Sequence, residues 1–233
     1  MKAALITSVA LDASQMKLGE RTLAMQSVEG RPWIDHQLVA LRNAGISSLT
    51  CLIDPGEREL AEHLADFEDD MQIEIVAQPC AHAIDALALL HGRLDERFLL
   101  LSSDALFPGD VLTDIIDSAD YRPTADAIVG VSSFLGERDP LWVELHCHGH
   151  VMSIGPEARM SRLIATGITM LAPRTLAEVG FMQALGVRSY SRFLRHLAAS
   201  SYRMFGERVP RGITLDAIEE PWTRTTGELA LAR

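Results

Sequence analysis

Two serines and an aspartate, Ser102-Ser103-Asp104, close a run of four apolar residues, Phe98 to Leu101, and lead into Ala105-Leu106-Phe107-Pro108-Gly109. A short apolar run bounded by turn residues reads as a strand buried on both faces. Its polar end delivers Asp104 to the carboxyl edge of a parallel sheet, where open α/β folds build their sites. A carboxylate there suits a hard divalent cation and, through it, phosphate oxygens. The plainer role is to cap the helix that starts near Pro108 or to bond within its own loop.

Other side chains are placed for chemistry of the same kind. Gln78 ends another strand, where an amide can read the edge of a base or simply terminate the strand. His82 and Asp85 stand three apart on one face of a short helix, able to meet a base or ribose or to pair at the helix start. Lys17 and Arg21 bring positive charge after the first strand, with Asp12 and Glu20 beside them. His146-Cys147-His148-Gly149-His150 holds zinc-ligand side-chain types. On a straight strand the three histidines would face one side and Cys147 the other, and a hairpin turn at His148-Gly149 explains the segment without a metal. Arg188, Arg192 and Arg195 are spaced roughly as one helical face, which reads first as a solvated face and otherwise as an anion-binding edge or an interface. Trp33, Trp142 and Trp222 read as packing residues.

The elements that must position these groups alternate in the first half of the chain. Strands are expected at Ala3 to Val9, Ser48 to Ile53, Ile73 to Ala77 and Phe98 to Leu101. Helices are expected at Pro32 to Ala44, Glu57 to Leu64 and His82 to Leu90. In the first of these helices Ile34, Leu38 and Leu41 share a face, Pro32 opens it and Gly45 stops it. Such alternation implies a mostly parallel sheet covered on both faces. The second half predicts a helix at Pro108 to Ile116 and a strand at Asp126 to Ser133. A hairpin of Trp142 to His146 with His150 to Ile154 follows, then a strand at Ile164 to Leu171. Helices at Pro173 to Leu185 and Ser189 to Ser201, a short strand or pair of strands at Val209 to Leu215, and a closing helix at Thr225 to Ala232 complete the reading. No internal repeat is visible, and one domain over 1–233 is expected.

Composition narrows the function. The 233 residues are 48% apolar, enough for a sizeable core, and carry a net charge of -11. That balance argues against nucleic acid or an anionic membrane as the main partner, while small anions remain accessible to backbone amides and helix ends. Met1-Lys-Ala-Ala-Leu-Ile-Thr is too short an apolar run for a signal peptide, and no window predicts a membrane span. Cys51, Cys80 and Cys147 are odd in number and scattered, as in a reducing compartment. A cytoplasmic location is the expectation.

The order of segments resembles the sugar-phosphate and molybdenum-cofactor (MobA-like) type nucleotidyltransferases. Gly30-Arg31-Pro32-Trp33-Ile34 with Gln37-Leu38, Leu41 and Ala44-Gly45-Ile46 is similar to that family's "gly-lys/arg-pro-leu-ile … leu … ala-gly-ile" helix. Gln78-Pro79-Cys80-Ala81-His82-Ala83-Ile84-Asp85-Ala86-Leu87 resembles its base-approaching segment. Leu99 to Phe107 resembles its strand ending in "gly-asp", Ala165-Thr166-Gly167-Ile168 its acceptor-side strand, and Trp222 to Ala232 its closing segment. The resemblance spans nearly the whole chain. It implies an α/β, Rossmann-like three-layer nucleotide-diphospho-sugar transferase fold, mostly parallel with added antiparallel strands. Residues 1–125 would form the nucleotide-binding half and 126–233 the acceptor-side half.

By the same resemblance Asp104 would hold a catalytic magnesium, and Lys17 or Arg21 would offset charge on a leaving pyrophosphate. Ser8, Gln78, His82, Asp85 and Ser103 would line the nucleotide. Glu157, Arg162, Thr166 and Gly167 would meet a phosphorylated small-molecule acceptor, with homo-oligomer formation left open. Three departures stand out. The stretch between Leu5 and Leu18 has no glycine, although a phosphate-wrapping loop uses left-handed backbone positions that cost non-glycine residues roughly 1–2 kcal/mol each. The family's "pro-lys" is not recognisable in Glu20-Arg21-Thr22-Leu23. Trp222 and Arg224 stand where a second magnesium aspartate is expected, with Glu219 or Glu220 as the available substitutes.

Three functions compete. One is a magnesium-dependent nucleotidyltransferase that joins a nucleoside triphosphate to a phosphorylated acceptor and releases pyrophosphate. Another is a non-catalytic relative, a possible pseudoenzyme, retained as a binding or scaffold protein. The third, a nucleotide-sugar-dependent glycosyltransferase, would want an aspartate-x-aspartate pair where Ser-Ser-Asp-Ala stands.

Overall fold

A computed structural model describes residues 2–6, 23–67, 71–103, 105–134, 140–210 and 213–214. The chain opens with strand β1 (Lys2–Ile6), and a one-turn 3-10 helix (Leu23–Met25) precedes the hairpin β2 (Ser27–Val28) and β3 (Arg31–Pro32). Glu29 and Gly30 make its two-residue turn, both at positive φ, 51° and 80°. That geometry matches the twist of a tight hairpin and is easiest with glycine at its second position. There follow α1 (Trp33–Asn43), β4 (Ser48–Ile53), α2 (Arg58–Ala65), β5 (Gln72–Ala77), α3 (Ala83–Leu90) and β6 (Phe98–Ser102). Pro32 sits just ahead of α1, and Gly45 beyond its end takes φ 79°, a conformation open to a residue without Cβ.

The second half runs β7 (Ala105–Leu106), α4 (Gly109–Tyr121), β8 (Ala127–Ser133), β9 (Trp142–Leu145), β10 (Val151–Ile154), β11 (Leu163–Leu171), α5 (Glu178–Ala184), α6 (Tyr190–Ala199), β12 (Met204–Arg208) and β13 (Ile213–Thr214). The main sheet has the order β10-β9-β11-β6-β1-β4-β5, with β8 on the other side of β11 and β12 beyond β8. β6, β1, β4 and β5 are parallel, whereas β11 runs antiparallel to both β6 and β8. The alternating first half and the antiparallel additions agree with the pattern of the sequence.

Helices cover both faces, because β4 and β6 are buried on both. Leu49, Cys51, Ile53, Leu99 and Leu101 face α1, α2 and α4. Leu52, Phe98 and Leu100 face α3, α5 and α6. The three layers are held by burial on each side of one sheet.

Three elements differ from expectation. α4 continues to Tyr121, since Ser118 and Ala119 extend its buried stripe beyond Ile116. The strand expected within 209–215 is preceded by the longer β12, which pairs parallel with β8. Its Arg208 is exposed and its Gly206 carries no side chain, so little apolar alternation marks it. The helix expected at 173–185 begins as a 3-10 turn, Pro173–Ala177, before α5. The expected closing helix at 225–232 lies outside the described residues.

Candidate functional site at the carboxyl edge of the sheet

The connections make β1 the point at which the chain changes direction across the sheet. After β1 the chain builds outward through β4 and β5, then crosses back to lay β6 on the other side of β1. Open α/β sheets bind ligands at the carboxyl ends of strands beside such a switch. Register brings Ile6, Leu52 and Ser102 level, and Ile53 level with Ala77. The carboxyl ends therefore share one edge.

β11 supplies a wall beyond that edge. Its residues 168–171 pair with β6, while Leu163 and Ile164 continue past the end of β6 and pair with β9. Between these stretches the register shifts, and Gly167 takes φ 87°. The bend there requires a left-handed residue, which explains glycine in Ala165-Thr166-Gly167-Ile168. Thr166 donates its hydroxyl to the Gly130 carbonyl at 3.1 Å, so the neighbouring strand holds it.

The end of β6 is pinned from beneath. Trp33 Nε1 donates to the Ser103 carbonyl at 2.6 Å. Gln37 Nε2 donates to the carbonyls of Ser102 and Ala105, at 3.2 and 2.7 Å. One buried amide thus holds the backbone on both sides of position 104. Gln37 Oε1 and Ser102 Oγ are buried oxygens with no partner among the described residues. Oxygen donors of this type suit a hard cation, and the edge is compatible with the magnesium that the resemblance implies. Sequence reasoning read Trp33 as packing and gave Gln37 no role. Its signal was a polar residue on the apolar stripe of Ile34, Leu38 and Leu41.

The expected site residues divide into three groups. Lys17, Arg21, Ser8 and Asp104, with Glu219 and Glu220, lie outside the described residues. Ser103 follows the end of β6, and Thr166 and Gly167 lie just before the stretch of β11 that pairs with β6. Gln78 is exposed just past β5, its N–H bonded to Ile53 O at 3.1 Å. Four inter-strand steps separate β5 from β11, about 19 Å at ordinary spacing.

His82 and Asp85 have structural partners. His82 caps α3, and its backbone N–H donates to the Asp85 carboxylate at 3.1 Å. The other Asp85 oxygen accepts from Gln183 Nε2 at 3.0 Å, tying α3 to α5. Glu157 lies in the 3-10 turn Pro156–Ser161 and forms a half-exposed pair with Arg195 at 3.6 Å. Arg162 ends that turn at φ 56°, its side chain exposed and its carbonyl accepting from the Phe134 N–H at 2.9 Å. Arg195 is thus engaged with Glu157, beyond the solvated face read for the arginines of α6.

This strand order with both faces covered is that of the nucleotide-diphospho-sugar transferase fold. The inositol-1-phosphate CTP transferase of T. maritima superimposes with a TM-score of 0.75 at 15% identity, over 91% of this chain and 86% of that one. A protein from Bacillus anthracis assigned as a glucose-1-phosphate thymidylyltransferase, solved with sucrose, gives 0.77 at 13% identity over 94% and 92%. An apo UDP-glucose pyrophosphorylase gives 0.71 at 14% identity over 93% of each chain. No protein-family model matches the sequence, and no curated protein matches it. Among the described residues no helix is long and apolar enough to cross a membrane.

Proposed function

We propose that the chain binds a nucleoside triphosphate at the carboxyl edge of β6, β1, β4 and β5 and transfers its nucleotidyl group to a phosphorylated small-molecule acceptor, releasing pyrophosphate. The observation that carries this reading is the change of chain direction at β1 beside the pinned end of β6, in a fold shared with three nucleotidyltransferases. Asp104 holds magnesium in this reading. When bound, the cation offsets charge on the phosphate oxygens.

The chain's own residues then divide the work. Trp33 and Gln37 keep the backbone around position 104 in place. Gln78 meets the base, and the α3 N-terminus beside His82 and Asp85 supports the nucleotide. Lys17 or Arg21 offsets charge on the departing pyrophosphate. The bend at Thr166 and Gly167, with Glu157 and Arg162, receives the acceptor. Rate enhancement comes from positioning and charge stabilisation, with no covalent intermediate.

The test is calorimetric titration with each of the four common triphosphates in magnesium, followed by a pyrophosphate-release assay with sugar phosphates. One triphosphate is expected to bind at about micromolar strength, some 8 kcal/mol, and Asp104→Ala to abolish binding. Binding by none overturns the proposal. Binding without turnover for any acceptor favours the scaffold reading, which the glycine-free stretch between Leu5 and Leu18 also favours.

A further inference from the structure

The β9–β10 turn places His146, Cys147 and His148 so that one ligand atom from each lies within 4.8 Å of the others, all three side chains exposed. Strand alternation would put Cys147 on the side opposite the two histidines, but the turn begins at Cys147 and undoes that alternation. Cys147 Sγ lies 3.4 Å from His146 Nδ1 and 3.7 Å from its Nε2. Sulfur at about 2.3 Å and nitrogen at about 2.1 Å from one tetrahedral centre stand about 3.6 Å apart. The first pair is already at coordination distance. The His146 and His148 ring centroids are 5.4 Å apart, and His146 Nδ1 accepts from the His148 N–H at 3.4 Å, so joint coordination requires these exposed side chains to rotate.

The backbone under these side chains is fixed. His146 N–H donates to His150 O at 2.8 Å and Gly149 N–H to His146 O at 2.9 Å, closing the turn. Gly206 N–H of β12 donates to Gly149 O at 2.9 Å, and the His150 ring lies against Phe205 at 4.1 Å. Gly149 takes φ 81°, which a residue with Cβ adopts only under strain. The turn therefore presents its side chains on an anchored base, with little backbone order left to lose on binding.

We infer that His146, Cys147 and His148 form a binding site for one zinc-class divalent cation, apart from the strand-edge site, with water in a fourth position. Thiolate and imidazole ligands together select a borderline-soft ion over magnesium or calcium. Binding replaces the Cys147 thiol proton, which passes to solvent, and the chain's net charge of -11 favours a cation.

The experiment titrates tag-free protein with cobalt(II), reading thiolate-to-metal charge transfer and the visible bands of four-coordinate cobalt, then displaces it with zinc. One ion per chain is expected. Losing a hydrogen-bond partner outside a coordination sphere costs about 10- to 100-fold in affinity, so Cys147→Ser or His148→Ala should each weaken binding at least about tenfold. Cys147→Ser should also abolish charge transfer, and Cys80→Ser should preserve it. All three substituted side chains are solvent-accessible, and thermal melts check that each variant folds. Charge transfer that survives Cys147→Ser, unchanged affinity in His148→Ala, or well under one ion per chain overturns the inference.

Discussion

At the scale of single residues, Gln37 carries more than its place in an apolar helix face suggests. Its Nε2 is the described partner of two backbone carbonyls, Ser102 O and Ala105 O, on either side of position 104. Gln37→Leu keeps the volume and the apolar contacts but strips both carbonyls of that donor inside the fold. A buried acceptor left unsatisfied costs about 1–3 kcal/mol, partly offset because the orphaned Oε1 disappears as well. We expect a loss of about 2 kcal/mol, seen in urea as a lower midpoint with an unchanged slope. An unchanged midpoint would mean that the strand end holds itself. The cysteines give a second test at this scale. Burial pushes the Cys51 thiol up to about 12, whereas Cys147 is exposed and Cys80 half-buried. Because the thiolate is the nucleophile, a thiol reagent at neutral pH should label Cys147 and Cys80 in the native protein and Cys51 only on unfolding. Peptide mass mapping of native labelling at Cys51 would contradict this.

At the scale of elements, the contact between β8 and β11 depends on what Gly130 lacks. A Cβ there would lie 2.6 Å from Ile168 Cγ2 and 2.7 Å from Thr166 Oγ1. β11 has little room to give, with β6 on one side and β8 on the other. Gly130→Ala should cost about 1–3 kcal/mol by overpacking. Gly167→Ala meets nothing within 4 Å and should lose about 1–2 kcal/mol through its positive φ alone. Thr166→Ala should partly rescue Gly130→Ala and leave Gly167→Ala unrescued, a coupling that a double-mutant cycle measures. Additive behaviour in the first pair would show that Ile168 alone sets the limit. The same strands show what was legible beforehand. β4 and β6 announce themselves because burial on both faces demands continuous apolar runs. β12 does not: Gly206, Glu207 and Arg208 interrupt the pattern, and its pairing comes from β8. The carboxyl edge was legible as a location because strand ends follow from strand order. Which groups hold it was not, because Gln37 acts across 65 to 68 residues of sequence. The histidine-cysteine segment was legible as a hairpin turn, but that its side chains gather on one side was not, since alternation describes strands and fails inside a turn.

At the scale of the whole molecule, the C-terminal half is joined across elements by polar contacts that titrate. Glu178, at the start of α5, accepts from Tyr202 OH and from His196 Nε2 of α6, each at 2.9 Å. Arg174 lies over the Tyr202 ring and binds Asp126, whose other oxygen accepts from the Arg203 N–H at 2.7 Å. These contacts link α5, α6, β8 and the approach to β12. Bonding to His196 and Tyr202 lowers the Glu178 pKa. Burial, aided by the bond to Glu178, raises that of Tyr202 from 10 to about 12. For Glu178 the folded state releases its proton more readily, so its contribution is present above the ordinary carboxylate pKa and lost as pH falls through the lowered value. For Tyr202 the folded state keeps its proton longer, so between about pH 10 and 12 the unfolded chain binds fewer protons and stability falls as pH rises. The buried Cys51 thiol, also pushed up to about 12, adds a loss of the same sign in this window, so the share of Tyr202 is read by substitution. Urea midpoints measured from pH 9 to 12 should therefore decline in the native protein. In Tyr202→Phe the midpoint should start lower at pH 9, having lost the bond to Glu178, and then decline less steeply. Parallel curves would place the alkaline loss at Cys51 instead and remove Tyr202 from the contacts that hold this half of the molecule together.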